Sequence, residues 1–420
     1  MRPVTPRGFR DVLPREAAER ERVARAMSDA MTAWGYGAVE TPVAEEYATL
    51  EAGVGGSLEG TAFRLFDADG CLLALRPEMT VPIARLAATR LAGEQGPFRL
   101  RYTADVFREQ ASMRGQSRQF TQVGLELIGA GGPAADAEIV AVLAEALRAA
   151  GLARFSVGVG TVAVLRGVIA AAGMDDSWGR RVLGSAHDRN LVAIDTLAAE
   201  AGVPTAVADA LRSVPRIRGK RDAIESCRRI AAGCGIDSAL DDLAQTWELL
   251  EVLGVADAVS IDFGIMRSFD YYTGIVLEVY APGLGLPVGG GGRYDGVMRE
   301  FGAPMPAAGF AVGLERLHIA LAEQGVDLHG KRLDAVLGGQ AAEAFAAGRR
   351  LRDAGWVVRL SDRTGAELVR EAAAAGATEA LVAADGAIVR LDRAGMPSIP
   401  LSDPPAPPAP VTSSAGEGDR

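Results

Sequence analysis

Cysteine, histidine and long apolar runs are all scarce in this 420-residue chain, and each shortage closes a class of function. The three cysteines, Cys71, Cys227 and Cys234, are too few and too scattered for a disulfide framework or a CxxC zinc site. Cys227 and Cys234, seven apart in a helical stretch, read as small core residues. Histidine occurs only at positions 187, 318 and 329, with no pair at metal-ligand spacing, so neither a structural metal nor a cofactor is expected. No apolar run reaches the roughly 18 residues that a membrane span needs. The first eight residues, MRPVTPRG, lack the apolar core of a signal peptide. A soluble cytoplasmic protein is the expectation. A net charge of -10 argues against a bulk polyanion as partner but leaves room for a small anion held by a few arginines.

What is present is a large core. Hydrophobic residues make up 49% of the chain, enough for two or three domains at this length. Residues 15–34 carry Val23, Met27, Met31 and Trp34 at helical spacing. Asp136 stands where it could cap a helix bearing Ile139, Val140, Leu143 and Leu147, which Gly151 would end. From about 161 to 257 the pattern is almost wholly helical, an all-α insertion. Strand patterns return at 259–263 and 275–280, and a helix is expected near 308–325. The fold class is therefore α+β, with a helical segment interrupting the sheet.

Residues 331–400 form a separate small α/β unit. Strands are expected at 333–337, 356–360 and 380–384, and helices at 341–354 and 365–375. Over 331–395, ten Lys/Arg against nine Asp/Glu leave it nearly neutral. The tail 401–420, with five prolines and then Ser/Gly-rich sequence, is too polar to pack and is expected to be disordered.

Four segments carry chemistry, and none has a hydrolase, P-loop or zinc pattern. In Leu75-Arg76-Pro77-Glu78-Met79-Thr80, an extended backbone would put Glu78 and Thr80 on one side, fit to hold an ammonium group. The same stretch equally suits a helix start capped by Thr80. In Arg118–Glu126, strand alternation puts Gln122, Gly124 and Glu126 on one face. Polar groups on a buried strand face are costly unless something binds them. Arg108 and Arg118 could grip a carboxylate or phosphate. Gly129–Ala134 superficially fits a dinucleotide fingerprint, but the strand before it is too polar and no second βαβ unit follows. The third segment, Arg267-Ser268-Phe269-Asp270-Tyr271-Tyr272, can build a pocket wall of aromatic faces with polar tips. The fourth runs from Gly289 through Arg293-Tyr294-Asp295-Gly296 to Gly309–Arg316, where glycines allow a ligand or strand to approach closely.

Together these segments resemble the class II histidyl-tRNA synthetase core over about residues 4–325. Residues 267–272 and 291–296 match its histidine-specific signatures, 107–126 its motif 2, 309–316 its motif 3, and Pro42 its interface proline in motif 1. The resemblance implies an antiparallel sheet flanked by helices within residues 1–330, followed by a reduced anticodon-binding-like domain at 331–400. It also implies dimerisation around Gly35–Pro42. Two groups share this core: true synthetases, and the paralogue that regulates ATP phosphoribosyltransferase in histidine biosynthesis.

Several departures favour the regulatory group. Gln110 replaces the motif 2 glutamate that seats ATP, and Ala111-Ser112 and Gly115-Gln116 replace the loop's Arg-Pro and Gly-Arg steps. The small neutral C-terminal unit lacks the Lys/Arg surplus that tRNA calls for. What this implies is no catalytic residue of its own, a catalytic phosphoribosyltransferase subunit as partner, and histidine as feedback ligand. Histidine would meet Glu78, Thr80, Gln122 and Glu126 with its ammonium, Arg108 or Arg267 with its carboxylate, and Tyr271 and Tyr272 with its imidazole. Arg108, Arg267 and Arg316 match arginines that contact ATP or adenylate in the synthetases. Nucleotide binding through Arg108 and Arg316, and histidine–tRNA ligation as the alternative activity, therefore stay open.

Overall fold

The computed structural model describes residues 4–54, 58, 60–109, 117–188, 190–265, 272–328 and 333–401. Two compact units divide the chain, one up to Leu328 and one from His329.

In the first unit, among the described residues, nine strands form one sheet. Its middle is antiparallel, in the order Phe98–Phe107, Gln119–Ile128, Ala307–Gly313, Gly289–Arg293, Ile275–Tyr280 and Ser156–Thr161. Parallel pairs flank this antiparallel middle. Gly37–Ala38 joins the first of these strands in parallel, and Val259–Asp262 joins the last in parallel. The latter follows from connectivity, since the whole helical insertion lies between the two paired strands and serves as their crossover.

Period-two alternation decides what each sheet face meets. Val123, Leu125 and Leu127 point into the main core, shared with Val23, Met27 and Met31 of helix Pro14–Ala33 and with helix Gly132–Ala149, which is buried along most of its length. Gln122, Gly124 and Glu126 therefore point to the other face. One end of that face is covered by helices Tyr47–Val54, Thr80–Thr89 and Asp295–Glu300, packed with Tyr102, Val106 and Tyr294. The insertion contributes six helices between Val162 and Val252, plus a two-residue strand, Arg218–Gly219.

Three local expectations are corrected. Asp136 is not a cap: helix Gly132–Ala149 starts a turn earlier, after Gly131 with a proline in its first turn, and Asp136 binds Arg293 instead. The helix expected at 308–325 begins only at Leu314, because Ala307–Gly313 is a strand paired on both sides. Its Gly and Ala residues look helix-neutral in sequence but are required by the flanking strands. Thr80 opens helix Thr80–Thr89, yet its hydroxyl does not cap it. The Glu78 carboxylate does so, accepting from the backbone N–H of Thr80 (2.6 Å) and of Val81 (2.9 Å).

The second unit has a five-stranded sheet. Ala335–Gly339 lies between parallel strands Val358–Leu360 and Glu379–Ala384, with helices Ala341–Asp353 and Gly365–Ala374 packed on it. The first strand starts two residues later than expected, and strands Ala387–Leu391 and Pro397–Pro400 extend the far edge. Residues 402–420, where disorder was expected, lie outside the described residues.

Candidate functional site

Gln122, on the sheet face it shares with Gly124 and Glu126, lines a pocket. Glu78 and Thr80 wall one side at the helix start, and Tyr102 and Arg108 contribute from the neighbouring strand and just beyond it. Tyr272, Tyr294 and the glycine strands 289–293 and 307–313 complete it.

Glu126, only 1% exposed, is bonded to or abuts Thr80, Tyr294 and Gly309, which line the pocket. Thr80 Oγ1 donates to its Oε1 at 2.9 Å, and Tyr294 Oη donates to its Oε2 at 2.6 Å. Both donors are neutral. Burial pushes its pKa up to about 8, against the pull of the two hydroxyls and with a further push from Glu78. Glu78, 3% exposed, is also raised, again chiefly by burial and despite its backbone hydrogen bonds to Val81 and Thr80. Of these two buried carboxylates Glu78 lines the pocket, and Glu126 is held by two residues that do.

Gln122, 8% exposed, adds a third acceptor: its Oε1 is buried and has no hydrogen-bond partner among the described residues. An orphaned acceptor here costs folding free energy that a ligand N–H donor would recover.

Two glycines make room for this arrangement. A Cβ on Gly309 would lie 1.9 Å from Glu126 Oε2 and 2.4 Å from the Leu125 carbonyl. A Cβ on Gly124 would lie 2.2 Å from the Phe310 carbonyl and 2.6 Å from Tyr102 Oη. The gap that alternation suggested at Gly124 is thus taken by the Tyr102 phenol, whose pKa is raised by burial and by the two nearby carboxylates.

The arginines divide. Arg108 lines the pocket, its Nε donating to the Pro77 carbonyl at 2.8 Å and its guanidinium 5.2 Å from the Phe120 ring centre. Arg118 does not line it, contrary to the anion-binding role considered for it. It pairs with Glu109 and lies over Phe63 (4.5 Å). Glu109 itself sits beyond the end of strand Phe98–Phe107, not on it. Arg316 donates to the Pro287 carbonyl at 2.8 Å. Arg293 is structural, forming a buried ion pair with Asp136 and a 3.3 Å contact with Asp295. Arg267 and Tyr271, expected at the site, lie outside the described residues, as do Gln110 and Gln116.

Sequence reasoning missed Tyr102 and gave Tyr294 no role of its own. Tyr102 had a faint signal, as the one polar tip on the apolar face Phe98, Leu100, Tyr102, Ala104 and Val106. Among the described residues no cluster of potential metal ligands occurs, and no helix is long and apolar enough to cross a membrane.

The family model for histidyl-tRNA synthetase matches residues 8–317. Among proteins of similar sequence, an ATP phosphoribosyltransferase regulatory subunit from Moorella thermoacetica is 41% identical over 374 residues, 88% of this chain and 96% of the relative. One from Symbiobacterium thermophilum is 41% identical over 401 residues, 94% and 97% of the two chains. The chain belongs to the family of ATP phosphoribosyltransferase regulatory subunits. A solved Bacillus halodurans structure, described as a regulatory subunit/histidyl-tRNA synthetase, superposes with a TM-score of 0.80 at 30% identity, covering 90% of this chain and 98% of its own. Histidyl-tRNA synthetase from Nostoc sp. PCC 7120 has a TM-score of 0.78 at 21% identity, which establishes the shared class II fold alone.

Proposed function

We propose that this regulatory-family chain joins a short catalytic ATP phosphoribosyltransferase subunit, permits its activity, and carries feedback inhibition by binding free histidine in the pocket described above. The observation that carries the ligand reading is the pair of buried acceptors in the pocket wall, Glu78 and Gln122, with Glu126 behind Thr80 and Tyr294 and with Arg108 as a cation at the same pocket. Acceptors of this kind call for a ligand rich in N–H donors, and the arginine calls for a carboxylate. Free histidine has both.

Depth assigns the ends of the ligand. Its carboxylate and ammonium share one carbon, so both belong near the mouth, at Arg108 and at Gln122 with Glu78. The imidazole then reaches inward to Glu126, beside Tyr272 and Tyr294. Relative to the sequence expectation, this moves Glu126 from the ammonium to the ring, and leaves Thr80 orienting Glu126. Arg267 and Tyr271 remain proposed contacts for the carboxylate and the ring.

The same reading holds the second unit to be a reduced anticodon-binding-like domain, the protein to be cytoplasmic, and the first unit to dimerise around Gly35–Pro42. Isothermal titration calorimetry with histidine tests the pocket. Glu126→Ala removes the acceptor and is expected to weaken binding about a hundredfold. Unchanged affinity would rule the pocket assignment out.

Histidine–tRNA ligation remains the second reading, favoured by the arginines at 108 and 316 that match nucleotide contacts in the synthetases. Histidine-dependent ATP–pyrophosphate exchange at a rate typical of a synthetase would support it. The regulatory reading expects negligible exchange.

A further inference from the structure

We propose that an alanine-lined groove on the second unit is a docking site for the proline-rich segment 402–410 of this same chain.

The groove, about 300 Å³, lies between helix Ala341–Asp353 and the turn joining strands Glu379–Ala384 and Ala387–Leu391. Ala342, Ala346 and Ala347 line it from the helix, and Ala383 and Ala387 line it from the strands. Charge stands at two places in the lining, Glu343 in the first turn of the helix and Arg350 in its last. Arg350 Nη2 donates to the carbonyl of Gly386, which also lines the groove, at 3.4 Å. Phe345 is 63% exposed, and helical spacing sets it beside Ala342 at the rim. A small apolar groove edged by an exposed ring suits an extended proline-rich chain, which docks on such surfaces with its conformation already set.

Strand register delivers such a chain to this place. Pro397–Pro400 runs antiparallel to Ala387–Leu391, with Pro400 opposite Val389. Leu401 continues the pairing, its backbone N–H donating to the Ile388 carbonyl at 2.8 Å. Its side chain packs on the core cluster that includes Ala383 and Ile388. The same register, continued, sets Ser402 beside Ala387 and Asp403 beside Gly386, the residue that Arg350 contacts. The one acid of segment 402–410 thus arrives at the arginine end of the groove. No second charge in the segment meets Glu343.

Composition then decides what the segment does next. Residues 404–410 are five prolines and two alanines. Proline lacks the N–H that a further ladder needs, so the segment cannot go on as a strand. It favours the polyproline II helix, which rises about 3.1 Å per residue and loses little freedom on docking. From Arg350 to Ala342 the groove helix rises about 12 Å. About four polyproline residues span that length. The segment is tethered at the groove's rim, where its effective concentration is about 1 mM, so a weak intrinsic affinity suffices.

The test is fluorescence anisotropy with a labelled peptide of residues 402–410, titrated with the full chain and with a chain ending at Leu401. The peptide is expected to bind the shortened chain saturably, with a dissociation constant near about 0.1 mM. The full chain is expected to bind it about tenfold more weakly, because its own segment competes at about 1 mM. Ala346→Glu, at an exposed position of the groove helix, is expected to weaken binding to the shortened chain at least about tenfold. A second measurement stays within the full chain and stands even if the shortened one fails to fold. With Cys71→Ser removing the exposed thiol, Ala346→Cys combined with Pro405→Cys is expected to give an intramolecular disulfide on mild oxidation, read by mass spectrometry. Absence of saturable binding to the shortened chain, equal binding by both chains, or disulfides formed only between chains overturns the proposal. The last two results would assign the groove to a separate partner or a second copy.

Discussion

The phenol of Tyr294, which lines the pocket, donates a 2.6 Å hydrogen bond to Glu126, 168 positions away in the chain. Tyr294 follows the glycine strand Gly289–Arg293, and its own backbone N–H is tied to the Ala307 carbonyl at 2.7 Å. The donor is therefore fixed before any ligand arrives. Tyr294→Phe removes it while keeping the buried ring. Loss of a hydrogen bond to a buried carboxylate costs about 1–3 kcal/mol, so histidine binding is expected to weaken about tenfold in calorimetry.

Glu126 makes the empty protein sensitive to base. Its folded-state pKa of about 8 lies above the ordinary 4.5. The stabilising contribution of the protonated group is fully present below 4.5 and is lost as pH rises through 8. Glu126→Gln is therefore expected to be at least as stable as the unaltered chain at pH above 8 without histidine. Urea unfolding midpoints compared at acidic and alkaline pH check this. A variant less stable by the same margin at every pH would contradict it.

Gly309→Ala is expected to be worse than any of the polar substitutions at the site. Its Cβ would collide with both the Glu126 carboxylate and the backbone of the paired strand, so neither side can yield cheaply. Loss of histidine binding together with a lowered melting temperature is the expected outcome, measured by calorimetry and thermal circular dichroism.

How much of this was legible in sequence depends on the range of the interaction. The alternation of Gln122, Gly124 and Glu126 is local, and the strand displays it as read. The helix starting at Thr80 was one of two readings, and only three dimensions show that Glu78 performs the capping. Asp136 looked like a cap because nothing in the sequence reveals Arg293, 157 residues away, as its partner. Ala307–Gly313 looked helical because its small residues carry no strand signature, and their reason is the close approach of neighbouring strands. Arg118 looked available, but it pairs with Glu109, nine positions earlier, which the sequence does not state.

Arg293 and Asp136 give a separate test of the fold. The pair is buried, with side chains 9% exposed on each partner. Removing one member leaves the other charge uncompensated, so Arg293→Ala is expected to lower stability by about 3–5 kcal/mol. Glu109→Ala, which breaks a half-exposed pair, is expected to cost about 1 kcal/mol or less and to leave histidine affinity nearly unchanged. Chemical denaturation of both variants separates the two cases.

The central claim is that this chain conveys histidine inhibition to a separate catalytic subunit. The most direct measurement is phosphoribosyl transfer by the short catalytic subunit, assayed alone and with this chain, over a histidine titration. The account predicts activity only when this chain is present, inhibition by histidine, and an inhibition curve shifted about a hundredfold to higher histidine by Glu126→Ala. A catalytic subunit equally active alone, or inhibition unmoved by that substitution, would contradict it.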